Sequence, residues 1–209
     1  MKKLLQTNKG LTLTELLVAS IMIGIVILGV VSFNFTVGSI ERTTNRSTII
    51  KTRAASAMLQ IKRDVQLAVG DVRNPGIIAF EPNADDRAIC FRHDGGDPST
   101  YNDDVWACYY HGGSNGLWRC PNKAAQPTDY TEASCNTGTA LPFYFNLTDG
   151  DFYEVLSTTD SEGLDHIDYI RITLNTAYDP ATFVNCDTDP LKNPCYTLTT
   201  QISPVGHGR

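Results

Sequence analysis

From Leu16 to Ile40 the chain runs for 25 consecutive positions, between Glu15 and Glu41, without one charged side chain. Within that run Leu16 to Val31 is almost wholly Leu, Ile, Val, Met, Ala and Gly. About 20 residues, rising about 1.5 Å each, cross a hydrocarbon core of roughly 30 Å, so Leu16 to Phe35 is long enough to span a bilayer. Lys2, Lys3 and Lys9 precede the run and no acid stands before Glu15. The positive-inside bias therefore keeps residues 1–10 cytoplasmic and sends the C-terminal part across, as a single-pass protein. A secretory signal peptide shares the basic start and apolar core, but it needs small residues at a cleavage site after the core. Here Ser32-Phe33-Asn34-Phe35-Thr36 comes next instead, and the helical pattern continues. Glu15 itself requires explanation, since a lone carboxylate at the centre of a membrane helix costs about 2.5–3.5 kcal/mol.

The rest of the chain has another character. Overall, 42% hydrophobic and 19% charged residues over 209 positions exclude disorder as the main state. The 17 basic and 23 acidic side chains give −6, but residues 81–209 hold 7 basic against 19 acidic, or −12. Such a stretch repels a phosphate backbone, so direct duplex nucleic-acid binding by this part is not expected. All six cysteines fall between Cys90 and Cys195, which suggests disulfides made in an oxidising compartment. Six cysteines allow fifteen pairings, and spacing alone does not choose among them. Locality favours Cys90 with Cys108, Cys120 with Cys135, and Cys186 with Cys195, each bridge contributing about 2–4 kcal/mol.

Beyond the apolar run a helical period persists: Ile50, Ala54, Ala57, Met58, Ile61, Val65 and Ala68 recur at three- and four-residue steps. Lys51, Lys62, Arg63 and Asp64 fall to the other faces. The spacing predicts one helix from about Thr12 to about Val69, close to 90 Å at about 1.5 Å per residue. Gly70 and then Asn74-Pro75-Gly76 end it. Short strand-like runs come after it at 87–92, 105–111, 116–120, 142–147, 152–156, 166–174 and 196–202. Val105 to His111 and Leu117 to Cys120, joined by Gly112-Gly113-Ser114-Asn115-Gly116, form an expected hairpin. The alternating segment His166 to Leu174 is expected as a half-buried strand of the same sheet. The class is α+β.

The segment Lys9-Gly10-Leu11-Thr12-Leu13-Thr14-Glu15-Leu16-Leu17-Val18-Ala19 resembles the processing site of type IV pilins and the related pseudopilins. That resemblance implies a type IV pilin-like fold, with a long N-terminal helix packed on an antiparallel β-sheet domain with disulfide-bonded loops. It also implies removal of a leader, residues 1–10, by a prepilin peptidase cutting between Gly10 and Leu11, with N-methylation of the new first residue. Residues 11–40 would then be the membrane or filament-core half of the helix, 41–75 its amphipathic half, and 76–209 a periplasmic or extracellular head. Leu11 stands where the family usually has Phe, and Thr14 where it usually has an aliphatic residue. The aromatic strand before a Gly/Asn turn, followed by Leu-x-Arg, is similar to the strand pair of PilW-type minor pilins and J-type minor pseudopilins.

Physical chemistry supports the same reading. A cut before Leu11 exposes an α-amino group one helical turn from Glu15, and opposite charges about 4 Å apart attract by about 4 kcal/mol at an effective dielectric of 20. The partners implied are other pilin subunits in a helical filament, prepilin peptidase, a bacterial inner-membrane assembly platform, and the lipid bilayer before assembly. The expected function is that of a minor pilin, priming assembly or sitting at the tip of a type IV pilus on the cell surface. A minor pseudopilin of a type II secretion system is the nearer alternative, and a membrane-anchored binding protein that does not polymerise is the distant one.

An enzyme is not expected: the chain contains no HExxH, GxxxxGK[ST] or GxGxxG. No CxxC occurs, and no cofactor is expected. Asp94, Asp97, Asp103 and Asp104 supply the oxygen ligands that Ca2+ takes, but their spacing does not match an EF-hand loop. A solvated acidic loop is the simpler account.

Overall fold

The computed structural model describes residues 12–71, 74–83, 86–96, 102–112, 116–120, 122–128, 135, 141–143, 152–159, 161–163, 165–178, 193–204 and 206–207. The chain divides into two compact units, residues 1–44 and 45–209. The fold is α+β, with one long N-terminal helix and antiparallel sheets.

Helix α1 (Leu13–Gln66) runs unbroken through the boundary between the units. Its first part is exposed almost throughout, and among the described residues it alone is long and apolar enough to cross a membrane. From Ile50 onward one stripe is buried, through Ala54, Ala57, Met58, Ile61, Asp64 and Val65. The i, i+3, i+4 spacing puts these residues on one face, and the alanines let a sheet approach closely.

Ten strands come after the helix among the described residues. Strands β2 (Ile77–Asn83), β3 (Asp86–His93), β4 (Val105–Gly112), β5 (Gly116–Arg119) and β6 (Leu141–Phe143) form an antiparallel meander in that order. Strands β7 (Tyr153–Thr159), β8 (Asp165–Ala177) and β9 (Cys195–Ile202) form a second antiparallel sheet. The short strands β1 (Val69–Gly70) and β10 (Gly206–His207) pair in parallel. The expected segment 166–174 is therefore the centre of a separate sheet, not a strand of the hairpin's sheet. Strand β2 escaped sequence reading because Ile77 faces the main core and Ile78 a second cluster, so the run shows no period-two alternation. Of the expected strand 142–147, Pro142 and Phe143 are paired with β5 and the remainder lies outside the described residues.

The helix stripe is the shared wall of both sheets. Ala54, Ala57, Met58, Ile61 and Val65 pack with Ile89, Phe91, Tyr109 and Leu117 of the larger sheet, and with Ile170, Ile172, Leu174 and Ile202 of the smaller one. On the opposite face of the larger sheet, Ala88, Cys90, Trp106, Cys108, Tyr110, Cys120 and Cys135 form a second buried cluster. Strands β3 and β4 are thus covered on both faces, whereas β8 buries Ile170, Ile172 and Leu174 and leaves the residues between them half-exposed.

The helix ends three residues before the expected Val69. Ala68 N–H turns to the Val65 carbonyl at 3.2 Å, a tighter last turn, and the chain enters β1. Buried Arg92 clamps the turn beyond the helix. Its Nε donates to the Val69 carbonyl at 3.1 Å, its Nη2 donates to the Asn74 carbonyl, and its guanidinium lies 5.6 Å from the centre of the Trp106 ring. Within this turn Gly70 and Gly76 cross so closely that a Cβ on Gly76 would fall 2.2 Å from the Val69 carbonyl oxygen. Gly76→Ala should therefore force a backbone shift and lower stability by about 1–3 kcal/mol, measurable as a reduced thermal midpoint of the disulfide-intact protein in detergent.

Candidate functional site

Of the residues expected to carry processing and assembly, Glu15 lies at the start of α1. Gly10 and Leu11 are outside the described residues. Glu15 sits in the first turn, where the Thr12 N–H donates to its Oε2 at 2.9 Å and the Thr12 hydroxyl donates to the same oxygen at 2.9 Å. The Glu15 N–H approaches Thr12 Oγ1 at 3.3 Å, and Leu16 N–H donates to the Thr12 carbonyl at 3.2 Å. This is a reciprocal capping box, Thr12-Leu13-Thr14-Glu15, in which each side chain satisfies a main-chain donor that the helix start leaves open. The Thr-x-x-Glu signature stands plainly in the sequence. It means that part of the compensation required by the carboxylate is local, supplied by neutral donors one turn away. A carboxylate in the first turn also meets the positive end of the helix dipole. Past Glu15 the helix presents Leu16, Leu17, Val18, Ile21, Met22 and Ile23 to the outside, each more than half exposed. Such a surface demands lipid or another apolar helix.

A second polar constellation was not expected. Asp64, expected on another face of the helix, is buried at 5% exposure on the packed stripe, three residues after Ile61. The Tyr109 hydroxyl donates to its Oδ2 at 2.7 Å, and Arg119 Nε lies 3.4 Å from the same oxygen. Tyr109 and Arg119 are cross-strand partners on β4 and β5, so one pairing register delivers both donors to one carboxylate. His93, at the end of β3, places Nε2 3.0 Å from the Asp64 carbonyl oxygen and 3.9 Å from Oδ1. Burial, and then the neighbouring Asp64 carboxylate, push the Tyr109 phenol well above the usual tyrosine range. A phenol held neutral in this way is a hydrogen-bond donor, and the constellation ties the helix to three strands. The available signal in the sequence was the place of Asp64 between Ile61 and Ala68 on the apolar stripe.

Two disulfides join expected pairs. Cys90 and Cys108 are directly opposed on β3 and β4, and Cys120, just after β5, is bonded to Cys135. Cys195, at the start of β9, is also disulfide-bonded, while Cys186 lies outside the described residues. Cys90, Cys108, Cys120 and Cys135 are all buried in the second cluster.

Within the acidic segment Asp94 and Asp103 are exposed, as a solvated loop would have them, and Asp104 departs from that account. Asp104 is buried, its Oδ2 3.5 Å from Arg92 Nε and its Oδ1 accepting the Gly95 N–H at 3.1 Å. Asp94 accepts the Gly96 N–H at 2.8 Å, Asp103 is exposed, and Asp97 lies outside the described residues. Among the described residues no three His, Cys, Asp or Glu groups converge as a metal ion requires. Asp104 serves Arg92 and, through it, the turn after the helix.

Comparison with protein families, with curated proteins and with solved structures finds no match to this chain.

The raised Tyr109 phenol has a consequence for stability. Its folded-state pKa lies above the ordinary tyrosine value of 10.0, so the contribution is complete below about pH 10 and is lost as pH rises further. Thermal midpoints measured from pH 7 to 11 should fall above pH 10. Tyr109→Phe should lower stability at pH 7 by about 1–3 kcal/mol, because Asp64 loses a buried donor, and should flatten the alkaline decline. An alkaline limb of unchanged slope in the variant would count against this assignment.

Proposed function

We propose that this chain is a structural subunit of a type IV pilin-like filament, of the minor pilin kind, held in a bacterial inner membrane before assembly. Prepilin peptidase would cut between Gly10 and Leu11, and the N-terminal helix would then carry the subunit into the fibre. The observation that most supports the reading is the division of labour within α1. One continuous helix has an exposed, apolar first part and a second part that builds the core of the β-rich unit. An exposed helical surface of that composition is stable in lipid before assembly and against like helices afterwards.

Glu15 gives the reading its chemistry. In the uncut chain the carboxylate holds the Thr12 donors. Cleavage before Leu11 would place a cationic amine next to Thr12, converting a hydrogen-bonded carboxylate into one half of an ion pair, within one subunit or between neighbours. In a low-dielectric bundle that exchange favours assembly. The functional role is non-enzymatic, and the partners are other subunits, the peptidase and the assembly machinery of the membrane.

Glu15→Val should leave membrane insertion and leader removal intact and should reduce recovery of the subunit in purified filaments by tenfold or more. Normal incorporation of that variant would contradict the charge-pairing account. Gly10→Val should block leader removal, seen as unchanged gel mobility when the peptidase is co-expressed. N-terminal sequencing of the native protein should begin at a methylated Leu11. Recovery from sheared surface fibres fits the pilus reading, whereas retention in the periplasm fits a secretion pseudopilin.

A further inference from the structure

A cleft of about 680 Å3 lies between the two sheets of the β-rich unit. One wall is the end of the β2–β3 hairpin, where Glu81 and Arg87 face each other at 3.7 Å. The other side is formed by β7 and β8 through Tyr153, Glu154, Arg171 and Thr173. Arg171 Nη1 and Glu154 Oε2 are 2.5 Å apart, with side chains 38% and 53% exposed. From there the outward face of the smaller sheet continues as a polar ladder. Thr173 and Thr199 hydroxyls meet at 3.3 Å, and Thr197 donates to Asn175 at 2.7 Å. With its amide oxygen turned to the guanidinium, Gln201 accepts from Arg171 Nη2 at 3.1 Å.

We propose that this cleft is a binding site for a neutral oligosaccharide. Its volume falls within the range of about 300–1,000 Å3 typical of ligand sites. Two carboxylates and two guanidiniums leave it without net charge, so a phosphate, a nucleic acid or an acidic polysaccharide finds no excess of cations. Both carboxylates already face guanidiniums, which removes the reason for a metal ion to settle there. An apolar ligand would meet charged walls. A sugar, by contrast, presents adjacent hydroxyls that donate and accept together, and carboxylate and guanidinium forks offer paired sites of matching geometry. The Thr173 hydroxyl does either, and Tyr153, packed against the core, lines the cleft beside them. The Glu154–Arg171 pair holds both side chains in place before a ligand arrives, which lowers the ordering cost of binding. The inference goes beyond the filament reading, and it stands whether or not the helix polymerises.

The test uses the full chain in a zwitterionic, sugar-free detergent, applied to an array of neutral hexose and N-acetylhexosamine oligosaccharides. Hits are then titrated by saturation-transfer NMR. Binding of a neutral glycan by the native chain is expected, with affinity at least tenfold weaker for Arg171→Met and for Glu154→Gln. Thr173→Val, on the outward face of β8 and away from the core, is a third variant, and near-UV circular dichroism confirms that all three are folded. Lys62→Ala, on the exposed part of the helix, should bind as the native chain does. Absence of any neutral glycan among the hits would overturn the proposal. So would unchanged affinity in the cleft variants, or capture of anionic glycans alone in a salt-sensitive manner.

Discussion

One face of one helix holds the β-rich unit together. Ala54, Ala57, Met58, Ile61 and Val65 share one buried cluster with side chains of the larger and the smaller sheet. A fully buried Val, Ile or Met side chain contributes about 1.5–3 kcal/mol. The inner faces of the two sheets, with Phe91 and Leu117 in one and Ile172 and Leu174 in the other, would be bare apolar surface without that stripe. The helix is therefore part of the core of the unit as well as the carrier of the apolar N-terminal segment. The same hydrogen-bonded element serves both purposes.

Within that packing, two buried charges define position more than they add stability. Asp64 accepts from Tyr109 and faces Arg119 and His93, three side chains from three neighbouring strands. Arg92 reaches Val69, Asn74 and Asp104, and so holds the turn after the helix against the larger sheet. Buried ionic groups are expensive to leave unmatched, so a slip of helix or strand by one residue would strand them. A hydrophobic stripe alone tolerates sliding. These contacts do not.

The two ends of the proposed activity depend on different physics. At the N-terminal end, the exposed apolar helix and the capped Glu15 concern what surrounds the chain, lipid or a neighbouring apolar helix. In the β-rich unit, the smaller sheet buries one face and turns the other outward as Thr, Asn, Gln, Arg and Glu side chains. That outward face has no part in the core. Its chemistry is available for recognition, and the paired charges along it make it selective against strongly ionic partners.

Much of this architecture was legible in the chain itself. The uncharged run from Leu16 to Ile40, the three- and four-residue recurrence from Ile50 to Val65, and the Thr12-x-x-Glu15 signature are local patterns, and the helix arises from them because its hydrogen bonds are local too. The hairpin of β4 and β5 was equally readable from its aromatic run and Gly/Asn turn. What local pattern did not convey is which surfaces meet. Strand β2 sets Ile77 against the main core and Ile78 against the second cluster and shows no alternation, the strands divide between two sheets, and the partners of Asp64 on the buried stripe, Tyr109 and Arg119, come from a register set 45 and 55 residues away. Asp104 likewise reads as one more acid in an acidic run until Arg92 is placed beside it. Sequence by itself determined the helix, its apolar half and the α+β class, since these rest on nearest-neighbour periodicity. Tertiary structure alone decided the two-sheet division, the buried ion pairs and the cleft, since each depends on contacts between residues far apart along the chain.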